Sequence, residues 1–97
     1  MNFDEEVKKV LKDGELIIGK KRVKKGLLRG NVKMVIIASA APTEMKEDLK
    51  RYSGLSKIPY YEYKGNSKEL GYVCARPFPI SSLAIVKEGS SKILQLK

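Results

Sequence analysis

The sequence predicts an α/β sandwich built on a mixed β-sheet, and three observations lead to that fold class. Segments with helical periodicity alternate with short apolar segments along most of the 97 residues. The run Met34–Ala38 is apolar without alternation, which is typical of a central strand covered by helices on both faces. Apolar residues make up 42% of the chain and charged residues 32%, as expected for a small core with a charged exterior. We therefore expect a single domain over residues 1–97.

The first predicted element is an amphipathic helix over residues 2–12. Its apolar face consists of residues at helical spacing, namely Phe3, Val7, Val10 and Leu11. Asn2 and Glu5 form a capping-box-like pair at the start, and Gly14 ends the helix.

A β-α unit comes next. Leu16–Ile18 reads as a short buried strand that stops at Gly19. Val23 and Leu27 lie four residues apart in the basic segment that follows, which predicts a helix that ends at Gly30. The central strand then follows.

A third helix is predicted after Pro42. Thr43 is its expected N-cap, Glu47 and Arg51 its expected surface ion pair, and Gly54 its end. Three residues at helical spacing face the core: Met45, Leu49 and Tyr52.

The next strand, Ile58–Tyr63, is aromatic and has a proline near its start, as an outer strand tolerates. Its tyrosines are interpreted as sheet-packing residues rather than as a platform for bases: Tyr60, Tyr61 and Tyr63. Asn66 and Glu69 then repeat the capping-box pattern and begin a short helix that includes Leu70, Val73 and Cys74.

The C-terminal part begins at the helix-breaking run Arg76–Pro79. Leu83–Val86 is predicted as another apolar strand, with a turn over residues 87–90. Ile93, Leu94 and Leu96 are expected to close the edge of the sheet.

The charge distribution indicates an acidic partner. The chain has 20 Lys and Arg against 11 Asp and Glu, a net charge of +9. No acidic residue lies between Glu15 and Glu44, whereas seven basic residues do: Lys20, Lys21, Arg22, Lys24, Lys25, Arg29 and Lys33. Such a local patch collects phosphates by releasing counterions, although a generally basic soluble surface is the simpler alternative.

Catalysis and metal binding have little support. The chain has no histidine and one cysteine, so Cys/His zinc spacing is absent and the usual neutral-pH acid or base is missing. Cys74 falls on a short apolar helix and is interpreted as a packing residue. The single cysteine cannot make an internal disulfide, which fits a reducing cytosol. No cofactor is expected, and neither a signal peptide nor a membrane-spanning run is predicted.

Two segments are candidates for RNA contact. Gly19, Lys20 and Lys21 follow a strand and begin a helix, where free backbone N–H groups and two cations favour phosphate; solvated lysines at a helix start are the alternative. In Arg76–Pro79 two prolines stiffen a loop that carries Phe78, which either packs into the core or stacks on an unpaired base.

Taken together, these segments resemble the archaeal and eukaryotic large-subunit ribosomal protein L30e family, within the L7Ae superfamily of kink-turn RNA binders. The resemblance covers nearly the whole chain. It is carried by the strand–Gly19–helix–Gly30 unit, by Met34–Ala38 followed by Pro42, by the segment 46–49, by Tyr52 and Leu55–Ser56, by the segment 65–71, and by Leu83–Val86 with Gly89. The resemblance implies a three-layer α/β/α sandwich around a small mixed sheet of about four strands.

The resemblance also implies three RNA-binding loops at one end of the sandwich. The first is Gly19, Lys20 and Lys21, backed by helix residues that would line the stem phosphates: Arg22, Lys24 and Lys25. The second comprises Ser39, Ala40 and Ala41 and leads to Pro42. The third is Arg76, Pro77 and Phe78, where Phe78 matches an aromatic position that packs against an exposed nucleotide.

Three positions depart from the family pattern. Ala40 stands where an asparagine is usual, Ala75 where a glycine is common, and Pro79 where the residue is often basic.

The expected function is therefore a non-enzymatic, cytoplasmic component of the large ribosomal subunit. Its expected partners are ribosomal RNA and neighbouring ribosomal proteins, with no membrane partner, and the isolated protein is expected to be a monomer. Three alternatives stay open: a stand-alone or guide-RNA-particle kink-turn protein, a small phospho-ligand-binding enzyme on an α/β scaffold, and a protein–protein adaptor that uses the tyrosine strand.

Overall fold

The computed structural model describes residues 3–95, with side chains as far as Leu94. The elements within this range are α1 (Phe3–Asp13), β1 (Glu15–Ile18), α2 (Lys20–Arg29), β2 (Met34–Ala38), α3 (Thr43–Leu55), β3 (Tyr60–Tyr63), α4 (Ser67–Val73), β4 (Ser82–Lys87) and a 3₁₀ turn (Ile93–Gln95).

The four strands form one mixed sheet in the order β1-β4-β2-β3. β4 pairs antiparallel with both β1 and β2, and β2 pairs parallel with β3. All five residues of β2 are buried, as its unbroken apolar run predicts. The β-α alternation therefore produces the expected mixed sheet.

Helices cover both faces of this sheet. On one face, Val7 and Val10 of α1 and Leu70 of α4 pack in a cluster with Met34 and Ile36. On the other face, Val23 and Leu27 of α2 and Leu49 of α3 pack in a second cluster. This cluster also contains the alternate residues of β2, Val35 and Ile37. Each fully buried aliphatic side chain contributes about 1.5–3 kcal/mol relative to exposure. The three-layer α/β/α sandwich is confirmed.

The tyrosines of β3 pack as predicted. The ring of Phe3 lies 5.2 Å from that of Tyr61 and 5.0 Å from that of Tyr63, measured between centroids. Tyr60 lies on the other face of the sheet, packed against the α2–α3 cluster. All three tyrosines therefore contribute to packing, as predicted, rather than forming one exposed aromatic surface.

Several helix ends follow the predicted residues. Gly30 adopts φ 71° at the end of α2, in the left-handed region that glycine favours. The Asn66 side chain accepts from the Glu69 N–H while the Glu69 carboxylate accepts from the Asn66 N–H, so the predicted capping box is present. The predicted cap at Asn2 lies outside the described residues.

The third helix differs from its prediction in three details. Pro42, not Thr43, is the N-cap, because Thr43 already lies in the first helical turn. The helix continues through Gly54 to Leu55. Arg51 pairs with Asp48 at 3.3 Å rather than with Glu47, since residues three apart also face each other on a helix.

The C-terminal segment is not the predicted edge strand. Ile93 lies in a 3₁₀ turn and is buried in the α1–α4 cluster. The reason is Glu6, whose carboxylate accepts hydrogen bonds from Ser91 Oγ at 3.0 Å and from the Lys92 N–H at 2.6 Å. These bonds draw the segment onto α1, and Leu96 lies outside the described residues.

Candidate nucleic-acid interface

The sheet topology gathers the predicted loops at one edge. Because β4 runs antiparallel to its neighbours, the end of β1, the end of β2 and the start of β4 meet there. The Gly19 N–H donates to the Ser82 carbonyl at 3.1 Å, and the Ala38 N–H donates to the Ser81 carbonyl at 2.9 Å. We call this end of the molecule the loop edge.

The turn at Gly19 begins α2 at the loop edge. Gly19 has φ 105°, a conformation that side-chain-bearing residues rarely adopt. It offers α2 no side-chain cap, and the first turn of the helix contains no acidic residue. The first N–H groups of α2 therefore combine with the helix dipole and two exposed lysines to favour an anion.

Two of the basic side chains of α2 contact residues of α3, and the other four have no ion-pair partner within residues 3–95. Lys20 lies 3.9 Å from the Asp48 carboxylate, and the Lys24 ammonium lies 5.0 Å from the Tyr52 ring centroid. The Lys24 side chain is also the main cause that lowers the pKa of the Tyr52 hydroxyl. Four exposed side chains have no ion-pair partner within residues 3–95: Lys21, Arg22, Lys25 and Arg29.

Three of these unpaired cations lie together beside β1. Arg22, Lys25 and Arg29 line a cleft of about 250 Å³ whose other lining residues include Ile17, Val86 and one acidic residue, Glu15. Lys33, the seventh basic residue of the patch, pairs instead with Glu88 at 3.1 Å. The positive surface thus follows the β1 side of α2 away from the loop edge.

The loop between β2 and α3 has an outer and an inner part. Ala40 and Pro42 are exposed, whereas the Ala41 side chain is buried in the α2–α3 cluster. Ser39 holds the loop in place, since its Oγ accepts from the Gly65 N–H and donates to the Gly65 carbonyl, both at 3.1 Å. The outer surface of this loop therefore consists of Ala40 and Pro42.

Sequence reasoning did not find this link from Ser39 to the β3–α4 loop. It needs the parallel pairing of β2 with β3, which places residues 39 and 65 side by side although 26 positions separate them. The Lys46 ammonium also donates to the Ser39 carbonyl at 2.8 Å. The β3–α4 loop is consequently a fourth segment at the loop edge.

The loop containing Arg76, Pro77 and Phe78 lies on the α4 side of the sheet, and all three residues are exposed. Phe78 is 49% exposed and belongs to neither core cluster, so about half of its surface is open to a ligand. A Cβ at Gly71 would collide with the Phe78 carbonyl oxygen, so glycine lets this loop lie directly on α4. The loop is further held by the Ile80 N–H, which donates to the Ser67 carbonyl at 2.9 Å.

The predicted residues flank the loop edge on both sides of the sheet, and α2 carries Lys24 and Lys25 away from it. Gly19 to Lys25 and Ala40 to Pro42 lie on the side of α2 and α3, while Arg76 to Phe78 lie on the side of α4. Exposed lysines and an aromatic loop packed on α4 thus flank one edge, a combination suited to a bent, anionic ligand with unstacked bases.

Cys74 has a packing role. Its side chain is buried in the α1–α4 cluster, and burial raises the pKa of its thiol to about 11. Such a thiol is not a nucleophile at neutral pH. Within residues 3–95, His, Cys, Asp and Glu side chains form no group of three that could hold a metal ion, and no helix is long and apolar enough to cross a membrane.

Comparisons with known proteins add a family and a fold. Residues 1–95 match the model of the ribosomal protein L7Ae/L30e/S12e/Gadd45 family. Large ribosomal subunit protein eL30 of Saccharolobus solfataricus is 46% identical, over 99% of this chain and 89% of that protein. The protein of the same name from Methanothermobacter thermautotrophicus is 40% identical, over 99% of this chain and 98% of that protein. A Bacillus halodurans protein of unknown function shares the fold with a TM-score of 0.78 at 20% identity, covering 98% of this chain and 95% of its own.

Proposed function

The chain belongs to the ribosomal protein L7Ae/L30e/S12e/Gadd45 family, and from that premise we propose that it is a structural protein of the large ribosomal subunit that binds rRNA through the loop edge. The proposed RNA element is a kink-turn-like internal loop. The other proposed partners of this protein are neighbouring proteins of the cytoplasmic ribosome. We propose that the isolated protein is a monomer.

The observation that carries this proposal is the pairing of two surfaces at the loop edge. An uncapped start of α2 with unpaired cations, including Lys21 and Arg22, lies on one side of the sheet. A half-exposed Phe78 in a loop packed on α4 lies on the other. Backbone phosphates suit the first surface, and an unstacked base suits the second.

The family and the named relatives indicate a ribosomal structural protein and not an enzyme. The alternative of a small phospho-ligand-binding enzyme therefore loses its support. Shape recognition suffices as a mechanism, because main-chain donors and cations receive a bent backbone while a ring covers a base.

The salt dependence of RNA binding tests which cations contact phosphates. Replacing both Lys20 and Lys21 by alanine is expected to reduce the slope of log K against log salt by about 1.4 to 1.8, because each phosphate contact contributes a slope of about −0.7 to −0.9. The measurement is a titration of a kinked internal-loop RNA at several salt concentrations.

A matched control removes two charges elsewhere. Lys8 and Lys12 are exposed on α1, which ends where β1 begins, at the end of the sheet opposite the loop edge. The Lys8→Ala/Lys12→Ala variant is expected to keep the wild-type slope. Equal slope losses in the two double variants would show that net charge alone, and not the start of α2, drives binding.

A further inference from the structure

A second aromatic side chain lies beside the proposed RNA-binding loop. A cleft of about 230 Å³ separates α4 from the loop that follows it and is lined by Lys68, Tyr72, Arg76, Pro77, Phe78 and Pro79. Tyr72 is 86% exposed, the largest exposure among the exposed large apolar side chains of the described residues. A tyrosine that buries so little of its ring in the free protein contributes little to the core.

The electrostatics of the cleft favour an anion. Lys68 precedes Tyr72 by one helical turn, and Arg76 follows the helix with its N–H donating to the Gly71 carbonyl at 3.0 Å. Neither cation has an ion-pair partner in the described part of the chain. The neighbouring carboxylate of Glu69 is occupied at the N-cap of α4, where it accepts from the Asn66 N–H.

The walls of the cleft are held before any ligand arrives. The absence of a Cβ at Gly71 lets the Phe78 carbonyl lie directly on α4. The Ser67 and Ser81 hydroxyls are hydrogen bonded at 2.8 Å, and the Ile80 N–H donates to the Ser67 carbonyl. A fixed cleft lowers the ordering cost of binding.

We propose that this cleft binds one unpaired nucleotide of the RNA, with its base against the Tyr72 ring and its phosphate beside Lys68 and Arg76. The inference rests on the proposed function and adds Tyr72 and Lys68 to the interface. Two cations beside exposed rings match the charge and the flat face of a nucleotide. The cleft is also continuous with the proposed interface, since Phe78 belongs to both.

The test compares three exposed substitutions by RNA affinity at one salt concentration. The probes are kinked RNAs that carry an extra unpaired nucleotide at successive positions beside the kink, and one RNA without it. Tyr72→Ala is expected to weaken binding by about 5- to 150-fold for the position that reaches the cleft, the range for loss of one base–ring stack. Tyr72→Phe keeps the ring and is expected to bind within about twofold of wild type.

The control for non-specific effects is the Leu55→Ala variant. Leu55 is 75% exposed and lies at the opposite end of the molecule.

Deleting the unpaired nucleotide from the RNA and the Tyr72 ring from the protein, singly and together, forms a double-mutant cycle that isolates their contact. If Tyr72 stacks on that base, wild type and Tyr72→Ala bind the RNA without it with equal affinity. The inference is overturned if Tyr72→Ala binds every RNA as wild type does while wild type still prefers kinked over straight RNA; the proposed function then stands without this contact. If wild type shows no preference for kinked RNA, the proposed function itself fails, and this inference fails with it.

Discussion

Ala75 has a φ of 56°, in the left-handed region where a Cβ is disfavoured. Ala75 is also one of the three positions at which this chain departs from the family pattern described above, since a glycine is common at this position. The strained backbone lies directly before Arg76 and Phe78, so the chain retains the loop conformation without the residue that adopts it most easily.

Ala75→Gly is accordingly expected to stabilise the protein. The left-handed penalty of about 1–2 kcal/mol is relieved, and the extra freedom of glycine in the unfolded chain costs about 0.5–1 kcal/mol, which leaves a gain of about 0.5 kcal/mol. In a domain of this size the thermal midpoint would rise by about 2–4 °C. Thermal unfolding monitored by circular dichroism measures the shift.

Two further variants control this comparison. Lys57 has the same φ of 56°, so Lys57→Gly is also expected to raise the midpoint. Lys50 is exposed within α3, so Lys50→Gly is expected to lower the midpoint because glycine is a poor helix former. A fall of the midpoint in Ala75→Gly would show that the left-handed backbone there is not a source of strain.

Local sequence predicts some residues of the candidate site but not others. The turn at Gly19 and the loop at Arg76–Phe78 could be predicted, because glycine permits the positive φ of a tight turn and proline fixes φ and ends a helix, whatever the rest of the chain does. Tyr72 could not, since an aromatic residue on a short helix is as compatible with the core as with solvent. Its exposure depends on which face α4 turns to the sheet, and tertiary packing decides that.

At the scale of elements, β2 is determined by its local sequence, whereas the C-terminal segment is determined by a tertiary contact. The unbroken apolar run predicts β2 with its observed bounds, because the pattern needs no information from the rest of the chain. Ile93 carries the same apolar signal but lies in a 3₁₀ turn, since Ser91 bonds to Glu6, 85 positions earlier in the chain. Local patterns do not contain such a contact.

This clasp between α1 and the C-terminal segment makes stability depend on pH. The Lys92 N–H, followed by the Ser91 hydroxyl and Lys9, holds the pKa of Glu6 below its usual 4.5. A depressed carboxyl pKa contributes stability that is complete above the unfolded pKa and is lost as the pH falls through the folded one. The Glu6→Gln variant is therefore expected to unfold at a lower temperature at neutral pH and to lose less of its thermal midpoint between about pH 5 and about pH 2.

The control for this experiment lies at the other end of α1. The Ser90 N–H and hydroxyl lower the pKa of Asp13 in the same way, so Asp13→Asn should remove a separate part of the acid sensitivity. Parallel midpoint-against-pH curves for wild type and Glu6→Gln would contradict the role of Glu6 as the acid-sensitive link.

At the scale of the whole molecule, the two ends of the sandwich differ in chemistry. The loop edge combines glycine and proline turns, the start of α2 and an exposed ring. The opposite end contains the ends of α2 and α3, with Leu28 and Leu55 exposed and the Ser56 hydroxyl bonded to the Leu27 carbonyl at 2.8 Å. RNA binding through the loop edge would leave this second end available to neighbouring proteins of the subunit.

The central claim is that the loop edge recognises a bent RNA by its shape. The most direct test measures the affinity of the purified protein for a kink-turn RNA and for the same two stems joined without the kink, each across a range of salt concentrations. We expect tighter binding to the kinked RNA at every salt concentration, with a steep salt dependence for both RNAs. Equal affinities for the two RNAs would contradict shape recognition and leave only non-specific attraction between a basic surface and phosphates.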